Sequence, residues 1–271
     1  MAMQPLSSLD DSTLRGVLAV ACDCDDTLTT QGVLDAQSLA ALHRLARQDI
    51  PCVIATGRPV GWASVLARVL PVRGVVAENG HAWLVRRGER LDAEFDVEPE
   101  QRARDLERIA ACVAQLRAQF PELAPVPDLT LRATDVALDV GEAQRVPDGI
   151  VQAALKHVRS VGLHAIASSV HLHVSAHPPD KVLGLERLAR ALGLDAASVR
   201  TRWIYVGDSP NDARAFADMQ LSVGVANVRD FVGRIDALPR YVTAASRGAG
   251  FAELVERLCI ARAPAVQPDP R

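Results

Sequence analysis

The sequence predicts an α/β protein, a doubly wound Rossmann-like parallel sheet carrying a smaller inserted α+β unit. Three observations lead there. Short apolar runs without polar alternation, at 17–22, 52–55, 75–77 and 203–206, read as strands buried on both faces. Helical stretches separate them in the strand–helix order of a doubly wound sheet. From about residue 84 to 177 the pattern changes to alternating strands with helices grouped between them, and at Lys181 the first pattern returns. The expected division is a discontinuous core, 1–83 and 178–271, and a second domain at 84–177.

In chain order, the run VLAVAC ends at Asp23, Asp25 and Asp26. A helix is expected over Asp35–Gln48, capped by Asp35, with Leu39, Leu42, Leu45 and Ala46 on its apolar face. The strand Cys52–Ala55 leads to Thr56, Gly57 and Arg58, and a helix over Trp62–Leu70 closes at Pro71. The strand Val75–Ala77 ends at Glu78, Asn79 and Gly80. A hairpin around Arg87–Gly88 opens the insertion, followed by a helix over Pro99–Gln119 and the Pro-rich linker PELAPVPD. Thr134–Val140 alternates as a half-exposed strand, Pro147 and Asp148 open a helix over Val146–Val161, and HAIASSVHLHVSAH reads as two short strands. The second half of the core brings a helix at Lys181–Leu192, with Leu183, Leu185, Leu188 and Leu192 as its apolar positions. The strand Trp203–Val206, a helix at Ala213–Met219, the strand in LSVGVAN and a helix at Phe251–Cys259 follow. The last residues, APAVQPDPR, read as a frayed tail.

Composition narrows the function. A net charge of −3 provides no basic field for nucleic acid or an anionic membrane, and no apolar run is long enough to span a bilayer. The N-terminus lacks the basic-then-apolar order of a secretory signal. Five cysteines, odd in number and mostly within apolar segments, read as small buried hydrophobes in a reducing compartment, so the expected location is cytoplasmic. Cys22 and Cys24 have no accompanying Cys or His pair at zinc spacing.

Four strand ends carry unusual polar residues: Asp23 and Asp25, Thr56 and Arg58, Glu78 and Asn79, Asp208 and Asp212. Each has an ordinary reading, as a helix cap, a turn residue or a surface cation. If the strand ends meet at the carboxyl edge of one sheet, however, they fall where ligands bind in this architecture. Asp23, the carbonyl of Asp25 and Asp208 would then offer hard oxygens suited to Mg²⁺, with Thr56 and Lys181 beside them for phosphoryl oxygens. Lys181 is one of two lysines in a chain otherwise rich in Arg, although a solvated helix lysine would read the same way.

The set DCDDTLT, ATGRP, a Lys opening a helix, and GDSPND resembles the four motifs of the haloacid dehalogenase superfamily of aspartyl-phosphate hydrolases. Order and spacing agree, over roughly residues 16–83 and 178–260. The insertion of about ninety residues, with VVAENGH and VGVANV, resembles the branch with a large α/β cap, which includes sucrose-phosphate, trehalose-phosphate and mannosyl-phosphoglycerate phosphatases and some phosphomutases. One departure is Asp26, where Gly is common. The resemblance implies an Mg²⁺-dependent phosphomonoesterase acting on a small phosphorylated metabolite, most simply a sugar phosphate, as a monomer or homodimer. It assigns Asp23 as nucleophile, Asp25 as acid and base, and Lys181 as the cation that neutralises Asp23. Metal would sit at Asp23, the Asp25 carbonyl and Asp208, with Asp212 behind it. Thr56, Gly57, Arg58, Asn79 and Asn211 would position phosphate or substrate.

In the insertion, Ser168, Ser169, His171 and His173 lie on or beside the last strands. The histidines share a face if the segment is extended and could bond sugar hydroxyls, or else line a solvated sheet; Asp135 and Asp139 are weaker candidates. Two other functions use the same motifs: a phosphomutase, and a non-catalytic module that binds sugar phosphates. The pairing of a nucleophile with an acid argues against the binding module.

Overall fold

A computed structural model describes residues 3–168 and 170–263. Ser169 and the APAVQPDPR segment beyond Ala263 lie outside the described residues.

In chain order the core begins with β1 (Gln4–Pro5), α1 (Asp11–Arg15), β2 (Ala19–Cys22), α2 (Ala36–Arg47), β3 (Cys52–Ala55), α3 (Val60–Val69) and β4 (Gly74–Ala77). The hairpin β5 (Ala82–Arg87) and β6 (Arg90–Phe95) follows, then α4 (Pro99–Gln119), β7 (Asp135–Asp139), α5 (Asp148–Ser160), β8 (His164–Ala167) and β9 (His171–Ser175). The chain continues through α6 (Lys181–Ala191), α7 (Val199–Arg202), β10 (Trp203–Gly207), α8 (Ala213–Asp218), β11 (Leu221–Gly224), β12 (Tyr241–Val242) and α9 (Arg247–Arg262).

Nine strands form one sheet in the order β1-β12-β11-β10-β2-β3-β4-β5-β6. Pairing is parallel from β1 to β4 and antiparallel across β4-β5-β6. From β2 the chain winds one way to β4, and from β10 it winds the other way to β12. The order therefore reverses between β2 and β10, which pair directly with Cys22 opposite Val206. In open α/β sheets the crevice at such a reversal, beyond the carboxyl ends of the strands, is where ligands sit.

Alternation along the strands divides two apolar layers. Val20, Cys22, Ile54, Ile204 and Val206 meet Leu42 and Leu45 of α2 and Phe251, Leu254 and Leu258 of α9. Ala19, Ala21, Val53, Trp203 and Tyr205 meet Val182, Leu185 and Leu188 of α6 and Phe216 of α8. Burial on both faces is why these strands carry no polar alternation. The buried stripe of α2 is Ser38, Ala41, Leu42 and Leu45; Leu39 and Ala46 face outward, one position off the expected face. Asp35 caps α2 as expected, accepting from the Ser38 N–H at 2.9 Å.

The smaller sheet, β7-β9-β8, is antiparallel. Leu138, Leu172 and Val174 pack beneath Ile109, Val113 and Leu116 of α4 and Val151, Ala154 and Val158 of α5. The opposite face carries Asp135, Asp139, His171, His173 and Ser175, all buried. This differs from the half-exposed strand expected over Thr134–Val140. The polar positions alternate as expected, but they turn toward the larger sheet instead of solvent. The hairpin expected to open the insertion pairs with β4 and extends the larger sheet, so the second sheet begins only at Asp135.

The loop after β4 explains two glycines. Glu78 and Asn79 adopt left-handed φ values of 49° and 55°, and Gly80 follows at 111°. A Cβ on Gly80 would enter the Asp180 carbonyl, and one on Gly184 would meet the Gly80 Cα. Replacing Gly80 with Ala combines an unfavourable φ with a backbone collision. We expect a loss of about 3 kcal/mol, read as a fall of roughly 6–12 °C in thermal midpoint.

Candidate active site

Four neighbouring strand ends converge. Asp23 follows β2, Thr56 follows β3, Glu78 follows β4 and Asp208 follows β10. The Asp23 N–H donates to the Val206 carbonyl at 2.8 Å, carrying the parallel ladder one residue past the strand and fixing Asp23 beside Asp208. Asp23, Asp208 and Asp212 offer carboxylate oxygens all within 4.8 Å of one another, and all three residues are buried.

Lys181, the first residue of α6, supplies the opposing charge. Its Nζ donates to Asp23 Oδ1 and Asp212 Oδ1, each at 2.7 Å. Asp212 is fully engaged, since Oδ1 also accepts from the Tyr205 hydroxyl and Oδ2 from the N–H groups of Asp208 and Ser209. A carboxylate with both oxygens filled from inside the protein is suited to hold its neighbours in place. Asp208 is less committed, accepting from the Thr27 hydroxyl at 3.3 Å and Asn227 Nδ2 at 2.9 Å.

The charge balance is unequal, with three carboxylates facing one ammonium in a buried site. Burial pushes Asp23 up to about 7 against the pull of Lys181, and Asp212 and Asp25 add to the rise. Burial likewise drives Asp208 well above the carboxylate range, with Asp212 and Asp23 adding repulsion. Lys181 is held above its usual range, where the attraction of Asp212 and Asp23 outweighs burial. Hard oxygen donors within 4.8 Å and a deficit of positive charge fit a divalent cation.

The structure brings Asp23, Asp25, Gly57, His171, His173 and Asn211 around one small cavity, together with Ser168 and Ser209. Asn79, Lys181 and Asn211 line a larger adjoining cleft of about 920 Å³ between the two sheets. Thr56 and Arg58 line neither. The buried Thr56 hydroxyl accepts from the Arg58 N–H at 3.0 Å. The Arg58 side chain lies along Asp25, with Nε 3.0 Å from Oδ2 and a terminal nitrogen 2.9 Å from Oδ1. Asn79 is buried with both amide atoms unpartnered within the protein, and its left-handed backbone sets it at the cleft wall. Gly57 sits in a tight place: a Cβ there would stand 3.0 Å from His173 Nε2 and 3.1 Å from Asn79 Nδ2, so those side chains would have to shift by a few tenths of an ångström.

Further residues complete the setting, among them Glu78 and Arg132, to which the sequence pattern gave no role. The Glu78 carboxylate accepts from the N–H groups of Val60, Ala133 and Thr134 and from the Thr134 hydroxyl, tying the segment before β7 to the core. Burial raises its pKa, and Asp135 adds to the rise. His173 Nδ1 lies 2.9 Å from Asp135 Oδ2, and Arg132 bonds Asp135 at 2.8 Å and the Gly57 carbonyl at 3.1 Å. Burial lowers His173 to about 4 despite Asp135, so its ring is neutral at pH 7. Asp139 accepts three backbone N–H groups, from Gly141, Glu142 and Ala143, and so serves its own loop. Asp26, where Gly is common in the motif, is itself left-handed at φ 54°; Arg247 bonds its carboxylate and Asn227 its carbonyl.

Comparison with known proteins agrees with this geometry. A family model described as haloacid dehalogenase-like hydrolase matches residues 20–96. A phosphoglycolate phosphatase of Haloarcula marismortui is 32% identical over 239 residues, covering 86% of this chain and 93% of that protein. One from Methanosarcina mazei is 28% identical over 247 residues, covering 89% and 96%. The solved sucrose-phosphatase of Synechocystis sp. PCC6803 shares the fold at a TM-score of 0.61 with 16% identity, covering 89% of this chain and 97% of that one. The chain belongs to the haloacid dehalogenase-like hydrolases, and it is a phosphatase of small phosphate substrates. No helix among the described residues is long and apolar enough to cross a membrane.

The raised Asp23 pKa carries a sign. With the folded value near 7 and the unfolded value near 3.8, the folded state binds the extra proton. In metal-free protein the Asp23 contribution to stability is greatest below about pH 4 and is lost as pH rises toward 7. The thermal midpoint of Asp23→Asn relative to wild type, both in chelator, should therefore climb over that window, by about 3 °C or more at pH 7. A difference that stays flat with pH would contradict the assigned charge state.

Proposed function

We propose that the protein hydrolyses a small phosphomonoester through an aspartyl-phosphate on Asp23, with Mg²⁺ as cofactor. The observation that carries this reading is Asp23 at the sheet reversal, bonded to Lys181 and within 4.8 Å of Asp208 and Asp212. The larger sheet forms the catalytic core, and the unit built on β7-β9-β8 is a cap over it.

Asp23, Asp208 and the carbonyl of Asp25 would hold Mg²⁺, with Asp212 bracing Lys181 and the loop behind. When bound, the ion neutralises charge shared by the nucleophile and the phosphate. In the first half-reaction an Asp23 oxygen bonds to phosphorus, the ester P–O bond breaks, and the leaving oxygen takes a proton from Asp25. In the second, Asp25 takes a proton from water, whose oxygen bonds to phosphorus as the Asp23–P bond breaks. Inorganic phosphate leaves and both carboxyls are restored. Lys181 keeps Asp23 in place, and Asn211 and Asn79 donate to phosphoryl oxygens. Asp25 lines the small cavity with Asp23 while bonded to Arg58, so it already borders the space the leaving group would occupy.

For the substrate, the names of the full-length relatives favour phosphoglycolate. Arg145, Arg159, Arg214 and Arg234 along the cleft suit a second negative group such as a carboxylate. A sugar phosphate is the second reading, favoured by a cleft of about 920 Å³, ample for a hexose, and by His173, a hydrogen-bond acceptor toward the cavity.

Phosphate release from phosphoglycolate and a panel of sugar phosphates, with and without Mg²⁺, tests both readings. We expect turnover that chelator abolishes and Asp23→Asn lowers by about 10³-fold or more with the fold intact. Full activity in Asp23→Asn, or isomerised product in place of free phosphate, would overturn the hydrolytic assignment.

A further inference from the structure

The contacts around Arg58 run on past Asp25. The Arg58 side chain is 13% exposed; its guanidinium also donates to Glu142 Oε1 at 2.9 Å, and Glu142 Oε2 lies 2.7 Å from His171 Nε2. Asp25–Arg58–Glu142–His171 is thus a continuous chain that begins in the core and ends on β9 of the cap. Its cap end is braced by further bonds. Asp139 accepts the N–H groups of Gly141, Glu142 and Ala143, so the Glu142 backbone is set from below. His171 leans edge-on against His173 with ring centroids 5.8 Å apart, and His173 is pinned by Asp135. Neither Arg58 nor Glu142 lines the small cavity that holds Asp23 and Asp25, so this chain approaches Asp25 from behind.

We propose that Glu142 is a positioning residue for the phosphatase reaction: seated with the cap, it fixes the outer edge of the Arg58 guanidinium so that the inner edge holds Asp25 in one orientation. This rests on the reading of Asp25 as acid and base. A planar guanidinium gripped on both edges has one arrangement. Gripped by Asp25 alone it can swing, and the carboxyl swings with it. Cap closure is thereby registered at the proton-transfer group without a cap residue touching the reacting atoms. Orientation of this kind acts on the chemical step and leaves binding almost untouched.

Glu142 is well exposed, with 40% of its side chain accessible, so its replacement spares the core. Steady-state kinetics of Glu142→Gln, Glu142→Asp, Arg58→Gln and the Glu142→Gln/Arg58→Gln double variant, with Mg²⁺ and the substrate turned over fastest, test the proposal. We expect Glu142→Gln to lower kcat about tenfold, about 1.4 kcal/mol of barrier, with KM within twofold and the thermal midpoint unchanged. Glu142→Asp should recover part of the loss. Adding Glu142→Gln to Arg58→Gln should cost nothing further, because the lever is already gone. Wild-type kcat in Glu142→Gln, a loss confined to KM, or full additivity of the two changes would overturn the role. Proton transfer by another group would appear separately, as Asp25→Asn retaining wild-type kcat, which refutes the acid–base reading itself.

Discussion

The interaction on which the rest depends is the ammonium of Lys181 lodged between Asp23 and Asp212. It joins the two windings of the sheet, because Asp23 follows β2, Asp212 follows β10, and Lys181 begins the helix that returns from the smaller sheet. Burying three carboxylates close together is unfavourable, and one cation offsets only part of the cost. The imbalance is what makes the pocket chemically useful, because a buried, under-neutralised set of oxygens attracts positive charge and gives up little solvation when it arrives. Tyr205 and two backbone N–H groups saturate Asp212, and it therefore acts as a fixed support while Asp23 stays less encumbered.

Much of the core was legible in the residues. Unalternated runs such as Cys52–Ala55 can only be strands buried on both sides, and their polar termini show which edge carries chemistry. Single-residue detail was less legible. The exposed face of α2 was displaced because Leu39 and Ser38 exchange the roles their polarity suggests: Ser38 is buried against the Gly248 turn and Leu39 is left outside. The hairpin 82–95 opens on the unalternated run AWLV but continues in mixed polar residues, and pairing with β4 assigns it to the larger sheet. Short elements held entirely by tertiary contacts, β1 and β12 among them, have no periodicity to read.

At the site, the residues offered by motif spacing gather as proposed for Asp23, Asp208, Asp212 and Lys181, whereas partnerships that cross between the sheets had no local signal. Glu142 lies in a loop of ordinary polar composition, and its meaning comes from Arg58, eighty-four positions away in the chain. Glu78 was visible as a polar strand end, but its task of receiving Ala133 and Thr134 depends on a left-handed backbone. His171 and His173 alternate as residues of a wet surface would, since the pattern for facing water and the pattern for facing another domain's polar edge are the same.

The orientation of the smaller sheet has a consequence for opening. Its greasy side is spent on α4 and α5, and the side toward the core is mostly imidazoles, carboxylates and hydroxyls, with Ala137 and Ile166 among them. Lifting it away therefore hydrates hydrophilic groups and uncovers few hydrocarbon ones, so parting incurs little of the penalty that usually glues domains together. In the cap role proposed above, such a joint would open without presenting an adhesive surface to its neighbours, and its grip should weaken with ionic strength more than with temperature.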